Sequence, residues 1–291
     1  MIIWLASYPK SGNTWVRIFL SSIIYSEGKN LIDEEILRKI RNYPHIDFDF
    51  PKNITNEFKN VLGEDEKRDK KKLFYKNWIN SQTKINLNNK INILKTHNML
   101  CKFEENSFTN LENSLGVIHI VRDPRNVITS LKNHYSKKNY EDTKKQLFDE
   151  YRWIGVDEEN KEVPTLIGSW KTNYLSWKRF PKNNILIKYE DLILNPEKEF
   201  FKIIKYLKQF IKLDIDDNKI RETIDKVSFE NLRKLEEKGV FKENAADKET
   251  GKLKKFFYLG PKNNWKETLD KKLISEIEIK FEKEMKELGY L

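Results

Sequence analysis

The chain has 291 residues and a mass of 35.0 kDa, which is enough for a full α/β core with additional helices. Its 7 Trp, 12 Tyr and 17 Phe supply bulky core material, and this content excludes an intrinsically disordered chain even though 34% of the residues are charged. The formal net charge of +10 permits an anionic partner, but lysine is spread through the whole sequence, so the charge alone does not demand one.

Four apolar segments predict buried strands, and each of them ends in a turn. They are residues 2–6, 91–95, 116–121 and 185–189. Three of the segments lead into helical patterns: one over residues 14–25, one through Val127, Leu131 and Tyr135, and one that begins at Pro196. Strands that alternate with helices predict a parallel sheet covered on both faces, with ligands bound at the carboxyl ends of the strands.

The remaining sequence predicts further helices and two irregular regions. We expect helices over residues 164–180, 216–227, 229–238 and 270–288, the first of them carrying Trp170, Tyr174 and Trp177 on one side for core packing. Residues 30–90 are typical of an insertion of helices and loops, and residues 239–264 of a long loop that is either functional or disordered. No repeat or linker is visible, so the sequence predicts one domain over residues 1–291 with a three-layer α/β fold, a central parallel sheet flanked by helices and a P-loop-like phosphate-binding loop.

Several classes of protein are excluded or disfavoured by what the sequence lacks. The single cysteine, Cys101, excludes an intramolecular disulfide, and no Cys/His cluster has zinc spacing, so we expect no metal centre. The first residues lack the basic region and the long apolar run of a signal peptide, and no apolar stretch approaches the ~18 residues that a membrane span needs. We therefore expect a cytoplasmic protein.

The turn between the first strand and the first helix predicts an anion site. A helix start presents unpaired backbone N–H groups and the positive end of its dipole, Gly12 permits close backbone approach, and Lys10 adds a full charge. The alternative is a capped helix with a solvated lysine. The pattern is not a Walker A loop, because Lys10 precedes Gly12 and the first glycine is absent, which disfavours a P-loop kinase.

Five segments resemble those of sulfotransferases that use the donor PAPS (3′-phosphoadenosine 5′-phosphosulfate). Residues 8–15, YPKSGNTW, are similar to the 5′-phosphosulfate loop of that family, and residues 117–130 resemble its 3′-phosphate strand and helix. Residues 94–97, residues 188–192 and the Ser228-Phe229 pair follow in the family's order. The chain is identified on these segments as a member of the cytosolic, small-acceptor type.

The resemblance implies PAPS as donor substrate without a metal, and release of adenosine 3′,5′-bisphosphate (PAP). It also implies a role for individual residues on the donor. Lys10 would contact the 5′-phosphate and the bridging oxygen, and the loop donors would be Ser11, Gly12, Asn13 and Thr14. Arg122 and Ser130 would hold the 3′-phosphate. Trp15 would lie beside the adenine, and Phe229 would stack on that base.

On the acceptor side the resemblance implies His97 as general base, with Lys95 assisting charge stabilisation. An imidazole titrates near neutrality, so it suits removal of a proton from an acceptor hydroxyl, or from an amine. We therefore expect a small-molecule acceptor, and nucleic acid is not favoured as a partner. The alternatives are a structural role for His97 and an ion pair between Arg122 and Asp123.

Neighbouring residues are given structural roles. His119, in the middle of a strand, is interpreted as a packed core histidine, and Tyr189-Glu190-Asp191 as structural support near the site.

One segment departs from the family's pattern. Family members carry an Arg-Lys-Gly sequence before a Gly-Asp-Trp-Lys element, whereas here Tyr258 and Leu259 stand where the two cations would be. Lys262, or Lys254 and Lys255, would have to substitute for them at the 3′-phosphate. The departure puts donor affinity in question, and it keeps open a non-catalytic protein of the same fold that binds PAP or a basic-patch partner such as RNA.

Overall fold

The computed structural model describes residues 1–26, 34–45, 47–48, 50, 63–135, 139–156, 163–239, 255–257 and 259–291. The strands in these parts of the chain are β1 (Ile2–Ser7), β2 (Asn92–Thr96), β3 (Lys102–Phe103), β4 (Asn106–Ser107), β5 (Ser114–Val121), β6 (Trp153–Ile154), β7 (Thr165–Leu166) and β8 (Asn184–Lys188). The helices are α1 (Asn13–Tyr25), α2 (Glu34–Leu37), α3 (Glu64–Tyr75), α4 (Trp78–Asn86), α5 (Pro124–His134), α6 (Tyr140–Phe148), α7 (Trp170–Lys178), α8 (Tyr189–Leu194), α9 (Pro196–Leu207), α10 (Asp217–Lys226), α11 (Phe229–Glu237), α12 (Trp265–Thr268) and α13 (Lys271–Glu287).

The main sheet contains the four strands that the apolar segments predict. Its order is β2-β1-β5-β8, and β1 pairs in parallel with both β2 and β5. Leu5 lies opposite Lys95 on one side and opposite Ile118 on the other. Each observed strand begins and ends within two residues of its predicted bounds. The central strands β1 and β5 are buried almost throughout, and strands of this kind form continuous apolar runs.

One helix is shorter than the sequence analysis predicts. Residues 164–180 do not form one helix: Thr165–Leu166 is a strand paired with Trp153–Ile154, and α7 begins only at Trp170. Gly168 has φ +68°, a conformation outside the right-handed helix, so no helix runs through it. Ser169 then starts α7 by accepting the backbone N–H of Thr172 in a capping box.

The chain divides into two compact units. The first comprises Met1–Tyr8, Arg41–Ile120 and Asp149–Leu186, and the second comprises Pro9–Ile40, Val121–Phe148 and Ile187–Leu291. The single domain over residues 1–291 stays a prediction. No helix in the described parts of the chain is both long enough and apolar enough to cross a membrane.

The core of the first unit is built on Trp4 in β1. Its ring centroid lies 5.4 Å from that of Tyr43, 5.2 Å from that of Phe108 and 6.1 Å from that of Trp177. The indole N–H donates to Ser114 Oγ at 2.8 Å, so the buried ring keeps its polar atom paired. Trp170, Tyr174 and Trp177 are all buried, which confirms that these aromatic residues of α7 belong to the core.

The second unit is helical, and side-chain caps mark the starts of several of its helices. The carboxylate of Asp123 accepts the backbone N–H of Arg125 at the start of α5, with Pro124 in the first turn. Asn195, Asp216 and Asp270 cap α9, α10 and α13 in the same way. The ring of Phe19 in α1 stacks on that of Phe200 in α9 with centroids 4.0 Å apart.

Candidate active site

The predicted anion site lies in the second unit, in residues 10–14, which we call the anion loop. Lys10 has φ +66° and Gly12 has φ +100°, so the backbone turns sharply twice before α1 begins at Asn13. The first N–H groups of a helix have no partner within it, and the first turn of α1 carries no acidic residue. Ser11 Oγ is fully buried and makes no hydrogen bond to any residue described. Donors of this kind at the start of a helix are suited to a phosphate.

Tyr189 packs directly on the anion loop. A Cβ placed on Gly12 would lie 2.4 Å from Cδ2 of the Tyr189 ring, so only a glycine admits this contact. The Trp15 ring meets the edges of Tyr189 and Phe200, at centroid distances of 6.4 and 5.6 Å. Burial raises the pKa of the Tyr189 hydroxyl, so the ring remains neutral. The sequence predicts a supporting role for Tyr189. It gives no sign of the contact between the Tyr189 ring and Gly12, because the two residues are far apart in the chain.

Arg122 and Ser130, predicted to share one phosphate, lie together. Arg122 follows β5 and is 5% exposed, and its Nη1 donates to Ser130 Oγ at 3.2 Å and to the backbone oxygen of Lys10 at 2.9 Å. The guanidinium also lies 4.1 Å above the Tyr189 ring centroid. Asp123 ion-pairs with Arg125 at 2.7 Å. The two predicted cations, Lys10 and Arg122, therefore belong to adjoining segments of the second unit.

Asn263 is a buried polar residue at this place that sequence reasoning missed. Its Oδ1 accepts from Thr129 Oγ1 at 2.8 Å, and its Nδ2 donates to the Asn126 oxygen at 3.0 Å and to Ser130 Oγ at 3.5 Å. Lys262, the preceding residue, is exposed. Its role as a substitute cation stays a prediction.

Phe229, the predicted adenine-stacking residue, begins α11 and contacts the segment around Gly260. A Cβ on Gly260 would lie 2.1 Å from Cε2 of the Phe229 ring, and the φ of Gly260 is +51°. Phe257 meets the Phe229 ring edge-on at 6.1 Å. Of the residues in the departing segment, Leu259 is partly buried, Lys255 pairs with Glu237 at 3.3 Å, and both Tyr258 and Lys254 lie outside the described residues.

Phe256 covers the ammonium group of Lys10. The Lys10 Nζ atom lies 4.0 Å from the centroid of the Phe256 ring. The carboxylate of Glu236 accepts the backbone N–H groups of Phe256 and Phe257 at 2.5 and 3.0 Å, and so it fixes this segment to α11. Since Lys10 and Phe256 are far apart in sequence, no local signal predicts this contact.

His97 lies in the first unit, directly after β2. Its Nδ1 is 2.8 Å from the backbone oxygen of Ser7 and 3.3 Å from Ser7 Oγ. A carbonyl oxygen can only accept, so this hydrogen bond places a proton on Nδ1, and the lone pair of a neutral ring is then on Nε2. Asn173 Nδ2 donates to the His97 oxygen at 3.0 Å and holds the backbone in place.

The first unit also contains Lys95, with a predicted catalytic role, and His119, with a predicted core role. Lys95 is a partly buried residue of β2, two positions before His97, and its backbone pairs with Arg41 and Tyr43. His119 is buried in β5 and stacks on Tyr174, and burial lowers its pKa to about 3. The interpretation of His119 as a neutral core residue is therefore confirmed, whereas the catalytic role of Lys95 stays a prediction.

Replacing Gly12 by alanine is expected to destabilise the protein and to weaken nucleotide binding. The new Cβ would meet Tyr189 at 2.4 Å, and the positive φ would strain any other residue. The strained backbone alone costs about 1–3 kcal/mol, and displacement of the ring adds to that figure. Urea denaturation would measure the free energy of unfolding.

Gly239→Ala is the matched control, because Gly239 has φ +73° and no atom of the described residues lies within 4 Å of the position of a Cβ. Its free energy of unfolding should fall only by the cost of backbone strain. If Gly12→Ala is no more destabilising than Gly239→Ala, the Tyr189 ring does not press on the loop as described.

One family profile matches almost the whole chain. The sequence profile of the family described as "Sulfotransferase domain" matches residues 2–289. A search of curated proteins returns no match to this chain.

Solved structures resemble the chain over almost its whole length. A mouse sulfotransferase, SULT7A1, complexed with PAP, is 18% identical with a TM-score of 0.57, and the match covers 98% of this chain and 84% of that one. Retinol dehydratase in complex with retinol and PAP is 18% identical with a TM-score of 0.60, covering 98% of this chain and 81% of that one. Retinol dehydratase with androsterone and inactive cofactor PAP gives 18% identity, a TM-score of 0.54, and coverage of 98% and 80%.

These likenesses confirm the predicted fold class, an α/β fold with a central parallel sheet flanked by helices. The profile match confirms the resemblance that the five short segments indicate, since it extends from the first strand to the last helix. The chain belongs to the sulfotransferase domain family.

Proposed function

We propose that this protein transfers a sulfonate group from PAPS to a hydroxyl group of a small-molecule acceptor and releases PAP. The observation that carries the proposal is the position of Arg122, which is hydrogen-bonded to the Lys10 backbone and to Ser130. Cationic groups suited to the 5′ end and to the 3′ end of one bisphosphorylated nucleoside thus occur within one unit of the fold.

The donor is assigned to the anion loop and its surroundings. The backbone N–H groups of the loop, Ser11 Oγ and the Lys10 ammonium would hold the 5′-phosphosulfate. The buried Ser11 hydroxyl, which has no partner among the described residues, fits this role. Arg122 and Ser130 would hold the 3′-phosphate, for which a guanidinium fork is well shaped. The aromatic rings of Phe229 and Trp15 would border the adenine.

In the transfer, a bond forms between the acceptor oxygen and sulfur while the bond from sulfur to the phosphate oxygen breaks. His97 would take the hydroxyl proton on Nε2, because Nδ1 is occupied by the Ser7 oxygen. Lys10 would neutralise the charge that grows on the departing phosphate, with Lys95 assisting charge stabilisation. The complexes of retinol dehydratase with retinol and androsterone support an alcohol as acceptor class. An amine would use the same proton acceptor.

The test is transfer of labelled sulfonate from PAPS, in the presence of a chelator, to panels of alcohols, phenols, amines and saccharides, together with calorimetry of PAP binding. We expect acceptor-dependent transfer to a hydroxyl without added metal. PAP binding with no transfer to any acceptor would favour a non-catalytic binding protein. Magnesium-dependent ATP turnover, with no binding of PAP, would overturn the proposal in favour of a kinase.

Replacing Arg122 by alanine is expected to weaken PAP binding by about 10- to 150-fold, because one charge-assisted contact is worth ~1.5–3 kcal/mol. Binding of adenosine 5′-monophosphate should change much less, since it lacks the 3′-phosphate. Arg122→Lys should recover only part of the affinity, because an ammonium cannot form the two-pronged contact. Calorimetry would give both dissociation constants.

Arg221→Ala is the control for the Arg122 variants. Arg221 lies on α10 and pairs with Glu197 at 2.8 Å at the surface, so its loss should leave PAP affinity unchanged. If Arg122→Ala weakened PAP and adenosine 5′-monophosphate equally, the assignment of Arg122 to the 3′-phosphate would be wrong.

A further inference from the structure

The segment that follows α13, residues 288–290, folds back onto the turn that carries Arg122; we call it the hook. Lys188 Nζ donates to the Leu288 oxygen at 2.7 Å, and the Tyr290 backbone N–H donates to the Met285 oxygen at 2.8 Å. Lys188 Nζ also lies 4.9 Å from the centroid of the Tyr290 ring. The hook therefore has a defined conformation within the second unit.

Glu190 bridges the hook and the Arg122 turn with its two carboxylate oxygens. Oε2 accepts the Tyr290 hydroxyl at 2.9 Å, and Oε1 accepts the backbone N–H of Asp123 at 3.0 Å. Asp123 is the residue next to Arg122, and Glu190 is the residue next to Tyr189, on whose ring the Arg122 guanidinium lies. Glu190 is thus hydrogen-bonded to Asp123, which follows Arg122 in sequence, and covalently joined to Tyr189, which the Arg122 side chain contacts.

Arg125 makes a second connection between the same two places. Its Nη2 donates to the Tyr290 backbone oxygen at 2.7 Å, and its Nε and Nη2 bind the Asp123 carboxylate at 3.0 and 2.7 Å. Its Nη1 binds Glu278 of α13 at 2.5 Å, and the guanidinium lies 3.9 Å above the Trp265 ring. Tyr290 is therefore held through both its side chain and its backbone by groups that define the conformation of the Arg122 turn.

We infer that Tyr290 is a positioning residue for the nucleotide: through Glu190 it fixes the Arg122 turn and so sets the preference of the site for a 3′-phosphate. The inference rests on the proposed function, because it needs Arg122 to contact that phosphate. Loss of the hydroxyl leaves a largely buried carboxylate with one donor fewer, and the turn that Glu190 holds loses its fixed position. A guanidinium binds a phosphate well only in a narrow range of geometry.

The variant Tyr290→Phe tests this inference, since it removes one oxygen atom and keeps the ring. We expect the dissociation constant for PAP to rise about 3- to 10-fold, as for other mutations that act through an intermediate contact. The constant for adenosine 5′-monophosphate should change less than about twofold, because that nucleotide does not need Arg122. Calorimetry with both nucleotides measures the ratio of their dissociation constants, which a general loss of stability would not alter.

Two further variants complete the test. Glu190→Gln keeps the shape of the bridge but turns one acceptor into a donor, so it should reduce the same ratio of affinities. Tyr25→Phe, at the far end of α1 from the anion loop, should leave the ratio unchanged. Denaturation curves of each variant would set a temperature at which all of them are folded.

The possible outcomes separate the inference from the proposed function. A fall in the preference for PAP in Tyr290→Phe and Glu190→Gln supports the positioning role. An unchanged ratio, with wild-type PAP binding intact, overturns the role of Tyr290 and leaves the proposed function standing. Wild-type protein that binds no PAP overturns the proposed function, and the inference with it.

Discussion

Replacing Lys10 by alanine is expected to lower the rate of sulfonate transfer by about 10²- to 10³-fold, the usual cost of removing one group that stabilises charge in a transition state. Binding of PAP should weaken less than the rate falls. The interaction with Lys10 grows as charge develops on the departing phosphate, so it favours the transition state over the bound substrate. Single-turnover kinetics with PAPS and a saturating acceptor would isolate this step.

The backbone of Lys10 offers a control against simple loss of structure. With φ +66°, Lys10 occupies a conformation that glycine adopts without strain. Lys10→Gly should therefore keep or raise the free energy of unfolding, by up to about 1 kcal/mol. Its rate of sulfonate transfer should fall by the same factor as that of Lys10→Ala. The contact between the ammonium and the Phe256 ring is worth only ~0.5–1 kcal/mol, which limits the opposite effect.

Lys10→Arg separates the charge from its position. It keeps a cation on the loop but replaces a compact ammonium by a planar fork, so it should recover a minor part of the rate. If Lys10→Gly retained full transfer activity, the charge of Lys10 would have no part in the reaction, and the assignment of the anion loop to the phosphosulfate would be wrong.

The parts of the fold that the sequence predicts well are those with local signals. Residues 2–5 form an uninterrupted apolar run because β1 is buried on both faces, and each of these side chains is 0% exposed. The start of α9 follows from Asn195 and Pro196, which act within one turn. The predicted helix over residues 164–180 is too long, because Gly168 at positive φ and the Ser169 cap start the helix only at Trp170.

The same distinction applies to the candidate site. The anion loop and the Arg122 turn are recognisable because the chemistry of each lies within one short segment. The contacts of Asn263 with Thr129, of Tyr290 with Glu190 and of Phe256 with Lys10 join segments far apart in the chain. Such contacts depend on the tertiary fold, and neither periodicity nor local spacing predicts them.

The second large effect is expected at His97, where the hydrogen-bond pattern specifies how the residue acts. The Ser7 carbonyl oxygen, 2.8 Å from Nδ1, fixes the tautomer with the proton on that nitrogen. Asn173 holds the His97 backbone, and Trp177 donates through its indole N–H to the neighbouring Asn98 oxygen at 2.8 Å. The ring is thus held from its Nδ1 side, and Nε2 is the nitrogen to which we assign the proton of the acceptor.

His97→Gln is expected to reduce transfer to an alkyl alcohol by about 10²- to 10⁴-fold, the usual contribution of a general base. The glutamine amide can still donate to the Ser7 oxygen, but it offers no basic nitrogen. The loss should shrink for phenols that are already ionised at the assay pH, because they need no base. Steady-state rates across a series of acceptors of graded acidity would measure this dependence.

His45→Gln serves as the matched control, since His45 is 45% exposed beside Asp47 in the same unit and should keep full activity. PAP affinity should be unchanged in both variants, because neither residue is assigned to the donor. A His97→Gln protein that loses the same factor with every acceptor would point to a structural role for His97. One that loses nothing with an alkyl alcohol would show that another group removes the proton.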